Sequence, residues 1–145
     1  MTVTSCMEGI DIFLDSNITV YLLEKDQARR DLVASFILDS RYVISTQVVS
    51  ENVNVCLKKL GMSKPDAFAH GRFLIDTFRL AFITDTTISR AFQVAERYGF
   101  SYYDSLIVAT ALETRCSTVY SEDLNHGQVI FQKLKIINPF LDSGI

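Results

Sequence analysis

The sequence predicts an α/β domain built on a parallel sheet of about five strands, with helices on both sides. Three observations carry that prediction. Short, nearly uninterrupted apolar runs alternate with segments of helical periodicity. No tract rich in Pro, Gly or Ser divides the chain, and no repeat or low-complexity segment interrupts it. The length of 145 residues suits one domain spanning 1–145. A chain of that size buries roughly two-thirds of its unfolded surface, enough for a full core without staples.

Residues 1–10 read as a loosely attached extension, without the basic start and apolar stretch of a signal peptide. "IFLD" (12–15) is the first strand, followed by "YVIS" (42–45), "LAFIT" (80–84), "TVYS" (118–121) and "KIIN" (135–138). All are almost wholly apolar, as strands covered on both faces are. Helices fall near 17–24, 27–39, 47–60, 64–78, 87–98 and 102–114. In 47–60, Val49, Val53, Cys56, Leu57 and Leu60 make the spaced stripe of a buried face. In "SYYDSLIVATAL" (101–112), Ser101 and Asp104 have capping-box spacing ahead of an uncharged, mostly apolar run. Strands alternating with helices imply parallel pairing and right-handed crossovers.

The net charge of −3 argues against broad binding to a phosphate backbone, which needs a basic face. Arg29–Arg30, Lys58–Lys59 and Lys133 with Lys135 are the only close basic pairs, and solvated helix faces explain them as well as a nucleic-acid groove does. Cys6, Cys56 and Cys116 show no zinc spacing and read as reduced cysteines of a cytoplasmic protein. No apolar run approaches the roughly 18 residues that span a bilayer, so no membrane is expected. Apolar residues at 48% without such a span point instead to a partner surface.

Sheets of this kind bind ligands at the carboxyl ends of their strands. Asp15 follows the first strand, and Glu122 and Asp123 follow the fourth. Glu51 lies early in the helix after the second strand, and Asp104 starts the helix feeding the fourth. All four segments deliver carboxylates to one edge. Asp11, ahead of the first strand, belongs to the opposite edge, and Asp85 in "DTT" reads as helix capping. Clustered carboxylates raise one another's pKa and destabilise a fold unless a cation offsets them. Oxygen-only ligation favours Mg²⁺ or Mn²⁺, and phosphodiester cleavage suits such a site.

"FLDSNITVYLL" (13–23), "TQVVSENVNVCLKK" (46–59), "SYYDSLIVATALE" (101–113), "YSEDLNHGQV" (120–129) and "INPF" (137–140) resemble, in that order, PIN-domain proteins. Among these the VapC-like toxins of bacterial toxin–antitoxin pairs are most similar. The resemblance covers nearly the whole chain. It implies a three-layer α/β/α fold with five parallel strands. It further implies a metal-dependent endoribonuclease acting on RNA, a cognate antitoxin and a homodimer. The family's acids map onto Asp15, Glu51, Asp104 and Asp123, with Asp15, Asp104 and Asp123 on the Mg²⁺ or Mn²⁺ ion. Asn17 and Ser121 match polar positions that place ligands or water, and Glu122 stands one layer further out. His126 reads as a turn residue rather than a base, and Tyr102 and Tyr103 as packing. Members often carry Gly where the long helix ends; this chain has Arg115 in "ETRCSTVY".

Three competing readings remain at this point. A receiver domain needs a Lys after the fifth strand, where "IINPF" offers Asn138. A dehalogenase-like phosphatase needs D-x-D, where the chain has Asp15-Ser16-Asn17. A PIN scaffold that only binds RNA or protein has no need of four mutually repelling acids.

Overall fold

A computed structural model describes residues 10–141. The expected extension at 1–10 falls outside them except for Ile10, which is exposed. The described chain runs β1 (Ile12–Leu14), α1 (Ser16–Thr19), a 3-10 turn (Val20–Leu23), α2 (Gln27–Phe36), β2 (Tyr42–Ser45) and α3 (Thr46–Lys58). It continues with α4 (Lys64–Thr77), β3 (Arg79–Ala81), α5 (Asp85–Tyr98), α6 (Tyr102–Glu113), β4 (Thr118–Tyr120), β5 (Val129–Ile130) and β6 (Leu134–Ile137).

The strands form one sheet in the order β3-β2-β1-β4-β6-β5, flanked by helices. Five strands run parallel, as the sequence predicts, and β5 adds an antiparallel edge paired to β6. A two-residue strand is too short to register as a pattern. Its turn is made by Phe131 and Gln132, both at positive φ of 49° and 59°. The core comprises the buried residues of β1, β2, β4 and β6 with α6, whose residues Ser105 to Ala111 are all buried. A helix buried all round shows no amphipathic stripe, which accounts for its uniform apolar run.

Two local expectations are corrected. The helix placed at 17–24 divides into one α-turn and one 3-10 turn. The face of α3 that enters the core is Val48, Asn52 and Cys56; Cys56 belongs to the expected stripe, whereas Val48 and Asn52 lie one residue out of phase with it. Val49 and Val53 are half-buried instead and meet α4, where a Cβ on Gly71 would lie 2.8 Å from Val53 Cγ2. The glycine is what lets those two helices approach so closely. Asp11 pairs with Arg79 at 2.9 Å, a structural contact away from the carboxyl edge, as expected.

Candidate active site

The chain leaves β1 beside the end of β4, because the Asp15 N–H donates to the Tyr120 carbonyl at 3.0 Å. Asp15 then becomes the N-cap of α1, its Oδ1 accepting from the Ser16 N–H at 2.7 Å. Its Oδ2 accepts from Ser121 Oγ at 2.8 Å and from Asn17 Nδ2 at 3.5 Å. Asn17 Oδ1 accepts from the Glu122 N–H at 3.2 Å. Ser121 Oγ accepts in turn from the N–H groups of Asp123 and Leu124, at 3.2 and 3.3 Å. One hydroxyl thus joins Asp15 to the segment carrying Asp123.

Asp15 is 4% exposed. Burial pushes its pKa up to about 6; the bonds from Ser121 and Ser16 pull down, and the Glu51 and Asp104 charges push up. Glu51 and Asp104 are therefore within electrostatic reach of Asp15. Glu51 Oε1 accepts from Ser16 Oγ at 2.9 Å, and Oε2 lies 3.4 Å from Gln47 Nε2. Gln47 Nε2 also donates to the Tyr103 carbonyl at 3.1 Å, which laces α3 to the start of α6. Ser101 caps α6, its Oγ accepting from the Asp104 N–H at 3.2 Å. The return bond of a capping box is not formed among the described residues. Asp104's half-buried carboxylate therefore takes no part in that box.

Glu51 shares the Ser16 hydroxyl with Asp15, the Asp104 charge reaches Asp15, and Asp123 stays exposed. Among the described residues no three His, Cys, Asp or Glu side chains stand close enough to ligate one ion unaided. The donor set still fits Mg²⁺ or Mn²⁺, because a small divalent ion keeps several waters and takes only one or two carboxylates. Two features of the site ask for a cation. The ion pairs among the described residues join Arg29 to Asp26 and Glu122, Arg41 to Asp39, and Arg79 to Asp11, so none offsets these acids. Gln47 Oε1 is a buried acceptor without a donor.

The remaining candidates are placed as follows. Glu122 is held by Tyr21 Oη at 2.7 Å and Arg29 at 3.8 Å. His126 Nδ1 accepts from the Asn138 N–H at 2.9 Å, the turn role expected of it. Asp85 Oδ1 accepts from the Thr86 N–H, while Thr84 and Thr87 supply the capping box. Tyr102 and Tyr103 depart from expectation: they are 38% and 64% exposed, at the rim beside Asp104. Sequence reasoning missed Ser16 as the bridge to Glu51, and missed Gln47. Gln47 and Glu51 are four residues apart on one helix face, a signal the sequence does contain. It also missed Asn52, whose Nδ2 donates to Thr19 Oγ1 at 2.8 Å and whose Oδ1 meets His70 Nε2 at 3.0 Å.

The chain belongs to the PIN domain family, whose profile matches residues 12–131. No curated protein matches it significantly. Among solved structures, VapC20 of Mycobacterium tuberculosis, a sarcin–ricin loop cleaving toxin, superposes with a TM-score of 0.64 at 18% identity. That alignment covers 78% of this chain and 90% of the toxin. A toxin–antitoxin complex from Klebsiella pneumoniae gives 0.68 at 17% identity, over 89% of this chain and 98% of that one. DNA-bound VapBC from Salmonella typhimurium gives 0.67 at 18%, over 88% and 96%. At these identities the likeness is one of fold.

Proposed function

We propose that this chain is a divalent-metal-dependent endoribonuclease, the toxin of a toxin–antitoxin pair. The observation that carries the reading is a desolvated Asp15 with Glu51 and Asp104 in reach and, among the described residues, no ion pair to offset them. Membership of the PIN family and the toxin structures it superposes on support it. So do Tyr102 and Tyr103, whose exposed rings offer unpaired bases a stacking surface beside the acids.

Asp15, Asp104 and Asp123 would hold Mg²⁺ or Mn²⁺, one or two of them directly and the rest through its waters. When bound, the ion supplies a Lewis acid and lowers the pKa of a water on it. Asn17 and Ser121 fix Asp15 in one orientation. Ser16 Oγ, 2.9 Å from Glu51 and 3.4 Å from Asp15, sets the spacing of those two carboxylates. Glu51 would accept a proton from a water attacking the phosphodiester.

The same reading includes a cognate antitoxin, a homodimer and a cytoplasmic location. Exposed Phe68, Phe73, Ile75, Phe82 and Phe92 supply apolar surface for such partners. Cys56 and Cys116 are free and buried, and no helix among the described residues is long and apolar enough to cross a membrane. The test is cleavage of single-stranded RNA by the purified chain in Mg²⁺ or Mn²⁺, abolished by EDTA and restored by adding the ion back. Undiminished cleavage in excess EDTA would remove the metal; no cleavage in any ion would leave a binding module.

A further inference from the structure

Gln47 stands at the acid site without a role in it. It lies on the first turn of α3 and is 9% exposed. Its Nε2 donates to the Tyr103 carbonyl at 3.1 Å and toward Glu51 Oε2 at 3.4 Å. A carbonyl and an ionised carboxylate only accept, so the nitrogen must face them and the amide cannot be turned round. Oε1 is then a buried acceptor with no donor. An unsatisfied buried acceptor is destabilising and calls for an explanation. The acids around it, when ionised, have no hydrogen to give. Any water does, and one polarised by a divalent ion is the stronger donor.

We propose that Gln47 is a residue of the cation site, its Oε1 accepting a hydrogen bond from the water shell of the divalent ion. This rests on the metal-dependent reading above and adds a residue to it. Gln47 thereby positions a metal-bound water with one end of its amide while the other ties Glu51 to the backbone before Asp104. Residues that hold a metal's ligands in this indirect way typically change metal affinity about 10- to 100-fold when removed.

Mn²⁺ binding to the full chain, followed by the electron paramagnetic resonance of the free ion, tests this without any activity assay. Gln47→Met keeps the bulk and removes both donor and acceptor; Gln47→Glu keeps an acceptor and removes the donor. Circular dichroism checks that both fold. The expected result is binding weakened about tenfold or more in Gln47→Met and recovered in Gln47→Glu. Recovery must exceed that given by Ser50→Glu in the Gln47→Met background, which measures extra charge on α3 alone. Gln47→Met binding within twofold of wild type overturns the inference and leaves the metal reading intact. Equal weakening in Gln47→Met and Gln47→Glu also overturns it, by assigning Gln47 to the Tyr103 bridge. A wild type that binds no Mn²⁺ removes the metal reading, and this inference with it.

Discussion

Asp15 and Asp123 lie at the ends of adjacent parallel strands, yet their surroundings are opposite. Asp15 is sealed, with Ser16, Asn17 and Ser121 donating to it. Asp123 is exposed and, among the described residues, tied in only through its backbone N–H to Ser121 Oγ. Asp104 falls between them, half-buried at a helix start. One half of the site is thus rigid and desolvated before any ligand arrives, and the other half is open to water. The rigid half fixes where charge sits; the open half leaves an approach for an ion and a phosphate.

Mutating across that divide gives the largest expected effect. Asp15→Asn, Asp104→Asn and Asp123→Asn should each lower RNA cleavage at least about 100-fold, since each weakens the charge that holds the ion. His126→Ala should cost far less, because its ring serves the Asn138 turn. Initial rates on one RNA in Mn²⁺ make the comparison. A larger loss in His126→Ala than in Asp123→Asn would break the assignment of the open half.

Stability against pH probes the sealed half. Asp15 has a folded pKa of about 6 against 3.8. The folded state therefore holds this proton more tightly than the unfolded chain. The penalty for ionising Asp15 is absent below about pH 4, grows as pH rises, and is complete above about pH 6, where it reaches about 3 kcal/mol. In EDTA, the gap in urea stability between Asp15→Asn and wild type should widen in favour of the mutant between about pH 4 and pH 7. A gap that is flat with pH would mean that Asp15 is solvated and the contrast with Asp123 is false.

Behind the sealed half stands a second polar network. Asn52 donates to Thr19 Oγ1, the Ser16 carbonyl and the Val48 carbonyl, and meets His70 Nε2. Asn52→Leu would strand these partners and should cost about 2 kcal/mol. Amide exchange should locate the damage: the Ile18 N–H, bonded to the Asp15 carbonyl at 3.0 Å, should exchange faster while Val108 in α6 does not. Equal acceleration at both would make Asn52 a general core residue.

The contrast was only partly legible in the sequence. The five parallel strands were, because their runs are almost wholly apolar, although the third lies at Arg79–Ala81 rather than 80–84 and Arg79 and Lys135 put exposed side chains into β3 and β6. The edge that gathers the acids followed from strand direction alone. What the sequence could not show was burial. Asp15 and Asp123 look alike in a string of letters, and only packing distinguishes them. Helix phase is hidden for the same reason: Asn52 is polar, so the apolar stripe runs through Val49 and Val53, yet Asn52 enters the core with its bonds satisfied. Arg115 went the other way. Gly was the residue expected there, and Arg115 does take a left-handed φ of 58°. Its N–H bonds Leu112 and that of Cys116 bonds Ala111, the paired closing bonds of a Schellman end.

The smallest expected effect decides what Asp104 is for. Ser101 Oγ already accepts from the Asp104 N–H, so capping belongs to Ser101 and the Asp104 carboxylate is not needed for it. Ser101→Ala should cost about 1 kcal/mol, the usual worth of such a cap. That loss should be the same in EDTA and in Mn²⁺, because the hydroxyl has no part in the ion. Asp104→Asn should do the reverse. It keeps the N–H that Ser101 receives, so its melting point in EDTA should equal or exceed that of wild type. An ion that binds only the folded state raises stability with its concentration, and Asp104→Asn should lose most of that rise. Six melting curves make the test: wild type and the two mutants, each with EDTA and with Mn²⁺. Should Asp104→Asn be destabilised in EDTA yet keep the full Mn²⁺ rise, its carboxylate is a cap after all. The open half of the site would then lose its bridge to the sealed one.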